Sequence, residues 1–207
     1  YHVFAEQYQR ILARNDITLE LRPSEGSVEN IARLRSDPPT ADIALVQAGI
    51  VSAENARTLE TMGSAFYEPI WVFHRERKPP ERLVDLAGKR IAIGDEGSVT
   101  RQLALDLLRP NEIDGGTTRL FDYGGIEAAE KLFAGEIDVA IMVAAPETGI
   151  IRSLLYSNDV KVMSFERAAA YTRLFPYLAV VTVPQGSVHL GRNLPARALQ
   201  LLATTAH

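Results

Sequence analysis

The chain has 207 residues, 46% of them hydrophobic and 23% charged, enough to bury a sizeable core as one domain or two small lobes. The formal net charge is −4, and Lys and Arg are scattered with no aromatic-interleaved basic patch, which removes the bulk electrostatic case for nucleic acid or an anionic membrane. Cysteine is absent, excluding disulfides, thiolate catalysis and Cys-based zinc sites, and His2, His74, His189 and His207 show no metal-ligand spacing.

Val3, Phe4, Tyr8, Ile11 and Leu12 share one face, which predicts a helix already under way at Tyr1 and ending near Arg14. No strand precedes it, and the chain stops abruptly after Thr204-Thr205-Ala206-His207, so the sequence reads as a piece of a longer protein. Within these residues there is neither a signal peptide nor a membrane-spanning apolar run. Ile17 to Leu21 alternates as a strand, and a helix follows Gly26-Ser27, ending near Ser36 where Asp37-Pro38-Pro39 breaks it. Asp42 to Val46 is an apolar run expected to form a buried parallel strand. Gln47 stands at its C-terminal end, where open α/β sheets place ligands, or it caps loop backbone. Ser52 starts a short helix, Ala53 to Leu59.

Phe66 to His74 is aromatic and β-prone and should be a long strand at which the chain leaves a first lobe. Tyr67 is placed to stack on or hydrogen-bond a ligand, whereas Trp71 and Phe73 read as packing residues. Glu76 to Arg82 is a charged linker. Lys89 to Ile93 is a short strand, Gly94 and Gly97 punctuate a tight loop, and Ser98 caps a helix carrying Leu103, Leu107 and Leu108. A turn at Asn111 to Gly116, a strand at Thr118 to Phe121 and a helix over Ala128 to Phe133, ended by Gly135, come next. Ile137 to Val143 is a buried strand, Pro146 opens a further helix at its first position, and Val160 to Met163 is a short strand. Phe165 to Phe175 reads as helix, Tyr177 to Val183 as the strand returning to the first lobe, Leu190 to Pro195 as irregular, and Leu199 to Ala203 as either strand or helix. The pattern is an α/β fold of βα units in two lobes: residues 1–72 with 176–207, and an inserted lobe at 73–175, with the site expected in the cleft between them.

Two stretches share one device. Strand, Gly-Ser loop and helix start occur at Ile17 to Ile31 and again at Lys89 to Leu103. The first N–H groups of a helix have no partner inside it and carry partial positive charge, so such a start can hold an anion, with the Ser98 and Thr100 hydroxyls adding hydrogen bonds. No Ser-His-Asp set and no Walker lysine is present. Glu25 with Glu29, and Asp95 with Glu96, read as solvated loop carboxylates rather than acid/base pairs. No catalytic residue, cofactor or metal is expected.

Several segments in order resemble the TAXI family of TRAP-transporter substrate-binding proteins, which have the type II periplasmic binding protein fold. They are Glu25-Gly26-Ser27-Val28-Glu29-Asn30, Asp42 to Gln47, Tyr67 to Phe73, Asp85 to Gly94, Gly97-Ser98-Val99-Thr100, Gly135 to Ala140 and Phe175-Pro176-Tyr177-Leu178. The resemblance implies reversible binding of a small solute, an organic anion or amino acid, in a central cleft. Lobe closure would then present it to membrane permease subunits, in a periplasmic or extracytoplasmic setting. By position, Ser27, Val28 and Gln47 would line one wall and Ser98, Val99 and Thr100 the other, with Tyr67 near the crossing. Val99 departs from the family's Gly-Ser-Gly-Thr pattern, and its Cβ limits backbone approach to a ligand. The longer relatives include membrane-anchored chains, so an anchor outside these residues is an alternative to a freely diffusing receptor. The competing functions are a ligand-sensing domain like that of LysR-type regulators and an enzyme built on the same fold.

Overall fold

A computed structural model of the chain describes residues 2–50 and 57–207, the side chains of His2 and Val3 excepted. Ser52 and the helix start expected there lie outside the described residues. The chain divides into two compact units, residues 1–64 with His207, and residues 65–206. The expected return strand and the long aromatic strand belong to one continuous sheet.

The smaller unit contains α1 (His2–Ala13) and α2 (Ser27–Arg35). Phe4 and Leu12 on the predicted apolar face of α1 are half-buried, while Tyr8 and Ile11 are exposed. The predicted strands at Ile17 to Leu21 and Asp42 to Val46 do not form among the described residues. A strand exists through its ladder with a neighbour, and the first segment has none. In the second, Val46 and His207 exchange backbone hydrogen bonds at 2.8 Å each, one paired position rather than a ladder.

The larger unit is built on a mixed sheet of strands β1 (Phe66–His74), β2 (Arg90–Ala92), β3 (Arg119–Phe121), β4 (Val139–Val143), β5 (Lys161–Val162), β6 (Ala179–Val183) and β7 (Leu199–Ala206). The order is β3-β2-β4-β1-β7-β6, with β5 pairing the end of β1. β2, β3 and β4 are parallel, and β1 runs antiparallel to β4, β5 and β7. The helices are α3 (Val99–Leu108), α4 (Gly125–Ala134), α5 (Gly149–Tyr156) and α6 (Ala168–Leu174). β1 is buried continuously from Glu68 to His74, as a central strand covered on both faces must be, and its sequence from Pro69 to Phe73 reads as an unbroken apolar run. β6, at the sheet edge, instead alternates between half-buried and exposed positions. The core joins Ile70 to Phe73 of β1 with Leu103 and Leu107 of α3, Leu132 of α4, Ile151 and Leu154 of α5, and Leu201 and Leu202 of β7, all at most 3% exposed. The Leu199 segment resolves as strand because it finds ladders on both sides, with β1 and with β6.

Two helix starts differ from expectation for local reasons. Pro146 does not open α5. The Thr148 N–H and hydroxyl both donate to the Ala145 carbonyl, at 3.1 and 2.9 Å, closing a turn in which Pro146 is the second residue, and the helix begins at Gly149. α6 begins at Ala168 rather than Phe165, because the Phe165 N–H donates to the Gln200 carbonyl of β7 at 2.8 Å and is drawn against the sheet.

Candidate functional site

The chain passes from β2 through α3 to β3 on one side, then returns past β2 to β4 on the other. Connections diverge at the carboxyl ends of β2 and β4, the position at which open α/β sheets leave a crevice. A cavity of about 90 Å³ lies there. It is lined by Gly94, Asp95, Ser98 and Thr100 after β2, Gly124 and Gly125 after β3, Ile141 to Ala144 at the end of β4, and Ile150 and Ile151 of α5. At about 30 Å³ per water this is room for roughly three waters, the size of one polar head group.

Pairing draws the loops together. The sheet bonds of β2 continue past its end, with the Ile93 N–H donating to Phe121 O at 3.0 Å and the Gly94 N–H to Tyr123 O at 3.1 Å. This brings the start of α3 beside the start of α4. Gly94 has φ +96°, and a side-chain carbon there would stand 2.9 Å from Ser98 Oγ and from Thr100 Cβ. Only glycine therefore lets the loop fold back onto its own helix start. Ser98 is the cap of α3, its Oγ accepting the Arg101 N–H at 3.1 Å, while the Ser98 carbonyl accepts from the Gln102 N–H. Among the described residues nothing accepts from the hydroxyl proton of Ser98 or from the N–H groups of Val99 and Thr100, which precede the first intrahelical bond. Ser98 and Thr100 line the cavity, whereas Val99 packs against the core. On the β1 side, the indole of the fully buried Trp71 donates to the Ala144 carbonyl at 2.9 Å and holds the end of β4 in place.

The Gly-Ser start in the smaller unit is built differently. Gly26 is the cap of α2, at φ +126°, and Ser27 is already the first helical residue. Ser27 is 3% exposed, and its Oγ accepts the Gln47 N–H at 3.0 Å. Ser27 and Gln47 are thus brought together and bonded to each other, with Gln47 also buried and Val28 62% exposed. The Glu29 carboxylate accepts the Glu25 N–H at 2.7 Å and pairs with Arg33 at 2.6 Å, and the Glu25 N–H, followed by Arg33, holds its carboxyl below the usual range. Tyr67 is 56% exposed on β1 opposite Thr205, and it does not line the cavity of the larger unit.

The arginines beside the two loops are occupied. Arg22 bonds Glu20 and the Thr40 carbonyl, and Arg101 pairs with Asp122. Sequence reasoning missed Gly124 and Gly125 as part of the site, although a Gly-Gly pair ahead of an amphipathic helix repeats the Gly-Ser signal. It also missed the apolar wall from Ile141 to Ile151, which only the sheet order assembles. A larger cavity of about 200 Å³, between Leu83, Asn111, Phe165 and Tyr171, touches none of the parallel strand ends, and Asn111 and Tyr171 satisfy each other there at 2.9 Å. Among the described residues, no group of His, Asp or Glu side chains is placed to hold a metal ion, and no helix is long and apolar enough to cross a membrane.

Among solved structures, the chain is similar to the periplasmic aliphatic sulphonate binding protein SsuA from Escherichia coli, at 14% identity and a TM-score of 0.55, covering 98% of this chain and 57% of that one. It is also similar to an ancestral arginine-binding protein bound to arginine, at 18% identity and a TM-score of 0.50, covering 76% and 66%. A histidine kinase sensor domain with similarity to periplasmic binding proteins matches at 22% identity and a TM-score of 0.50, covering 77% and 65%. The chain spans less than two thirds of the length of each of these structures. No curated protein matches it in sequence. The model of the NMT1-like family matches residues 4–198, so the chain belongs to the NMT1-like family and carries the α/β fold of the periplasmic binding proteins.

Proposed function

We propose that the protein is an extracytoplasmic solute-binding receptor of a TRAP-type transport system, of the TAXI class. It binds a small carboxylate-bearing solute and delivers it to membrane permease subunits without chemical turnover. The observation that carries this reading is the cavity at the carboxyl ends of β2 and β4, onto which the start of α3 opens with its unspent N–H groups and the Ser98 hydroxyl. Partial positive charge from a helix start, together with directional donors, suits an anionic oxygen and requires no catalytic group. The sulphonate and arginine named for two similar structures are ligands of the same small, charged kind.

The test is a thermal-shift screen of the protein against carboxylates, amino acids and neutral metabolites. A true solute at about a hundred times its dissociation constant stabilises the fold by roughly 2.7 kcal/mol. A saturable shift confined to carboxylate-bearing compounds, with the compound recovered unchanged, is the expected result. A shift confined to neutral compounds, or conversion of the compound, would overturn it.

A further inference from the structure

Among the described residues that line the cavity, Asp95 alone carries a charge. It is exposed at the cavity mouth, and no described donor or cation meets its carboxylate. Arg101 of α3 pairs with Asp122, and Lys131 of α4 pairs with Glu136. The carboxylate lies directly over Gly124, where a side-chain carbon would stand 2.2 Å from Asp95 Oδ2. Glycine at the cap of α4 thus leaves the space that the carboxylate fills. The mouth therefore sets one whole negative charge beside the donors of the α3 start, with Ile141, Met142 and Ile150 forming an apolar wall behind. A solute carrying only negative charge meets repulsion at this mouth, whereas one carrying both signs complements it.

We propose that Asp95 is a specificity-determining residue that takes the ammonium group of a zwitterionic solute, so that the site selects α-amino acids over simple organic acids. This rests on the solute-binding reading above and narrows its ligand class. The carboxylate of the amino acid faces the α3 start and its ammonium faces Asp95, so that this head group fills the cavity and the side chain extends out through the mouth. A purely structural role, in which Asp95 complements the start of α4, would not depend on the solute, and no N–H of α4 donates to this carboxylate among the described residues.

Titration calorimetry with matched probes separates these roles. L-Leucine and L-glutamate are compared with their 2-hydroxy counterparts and with glutarate, on the wild-type protein, Asp95→Asn and Ser98→Ala. The wild type is expected to bind an amino acid roughly tenfold to a hundredfold more tightly than its 2-hydroxy counterpart. Asp95→Asn should erase that preference by weakening the amino acid, while Ser98→Ala weakens both members of a pair alike. Binding with no such preference, or a preference that Asp95→Asn leaves unchanged even if its Tm falls, would overturn the role of Asp95 and leave the solute-binding reading standing. No saturable binding of any probe to any of the three proteins would overturn both.

Discussion

At the scale of single residues, Ser98 does two things at once. Its oxygen caps α3, and nothing accepts its proton among the described residues. Ser98→Ala should therefore lower stability by about 1 kcal/mol through the lost cap, read as a fall in Tm, and weaken the affinity for a carboxylate solute by about tenfold, read by titration. Gly94→Ala should be worse for the fold. It strains a positive φ and drives a carbon into Ser98 and Thr100, at a cost of about 1–3 kcal/mol, measurable by denaturant unfolding. His74 is fully buried at the end of β1, with Nδ1 accepting the Glu76 N–H at 3.2 Å and Nε2 without a partner among the described residues. Burial, then repulsion from Lys161 opposed by Glu76, pushes its pKa from 6.5 down to about 4. The neutral ring is the folded form. Stability should thus fall as pH drops from 6.5, where the unfolded chain begins to take up the proton, and level off below about 4. The total is about 3 kcal/mol. Urea unfolding across that range checks this, and His74→Gln should flatten that part of the profile.

At the scale of elements, Asp138 shows how one side chain ties two strand starts together. It precedes β4 and accepts from the Arg90 backbone N–H at 2.9 Å and from its guanidinium at 2.7 and 3.1 Å, pinning the start of β2 to that of β4. The Arg90 guanidinium holds the Asp138 carboxyl below its usual range, so this support is present above the unfolded pKa and is lost as pH falls through the lowered folded value. Asp138→Asn should cost about 1 kcal/mol near neutral pH, seen as a lower Tm. It should also reduce the acid sensitivity of unfolding below the range in which His74 titrates. Most elements of the larger unit were legible from local signals: the aromatic run for β1, the Ser98 cap for α3, and Gly135, at φ +75°, for the end of α4. The misplacements at α5 and α6 arose where a turn at Ala145 or a bond to β7 overrode helical propensity. The strands expected in the smaller unit failed for a related reason, since alternation at Ile17 to Leu21 and an apolar run at Asp42 to Val46 mark segments that could pair but do not supply their neighbours.

At the scale of the whole molecule, the sheet ladders and the main core lie within residues 65–206. A chain of those residues alone is expected to unfold in one cooperative transition and to keep the β2–β4 cavity. Differential scanning calorimetry would detect this, and a broad, non-cooperative melt would contradict it. The sequence by itself determined the α/β class, the order of most elements, the Ser98 cap and the lack of thiol chemistry. These depend on residue type, dihedral preference and contacts within a turn or two of the chain. Only the tertiary structure decided that the Ser27 hydroxyl is buried against the Gln47 N–H while the Ser98 hydroxyl lines a cavity, and that Asp95 comes to rest over Gly124. It alone also showed that Leu199 to Ala206 is a strand between two others. Those outcomes come from pairing between segments far apart in sequence, and local pattern carries no information about which partner a strand or loop will meet.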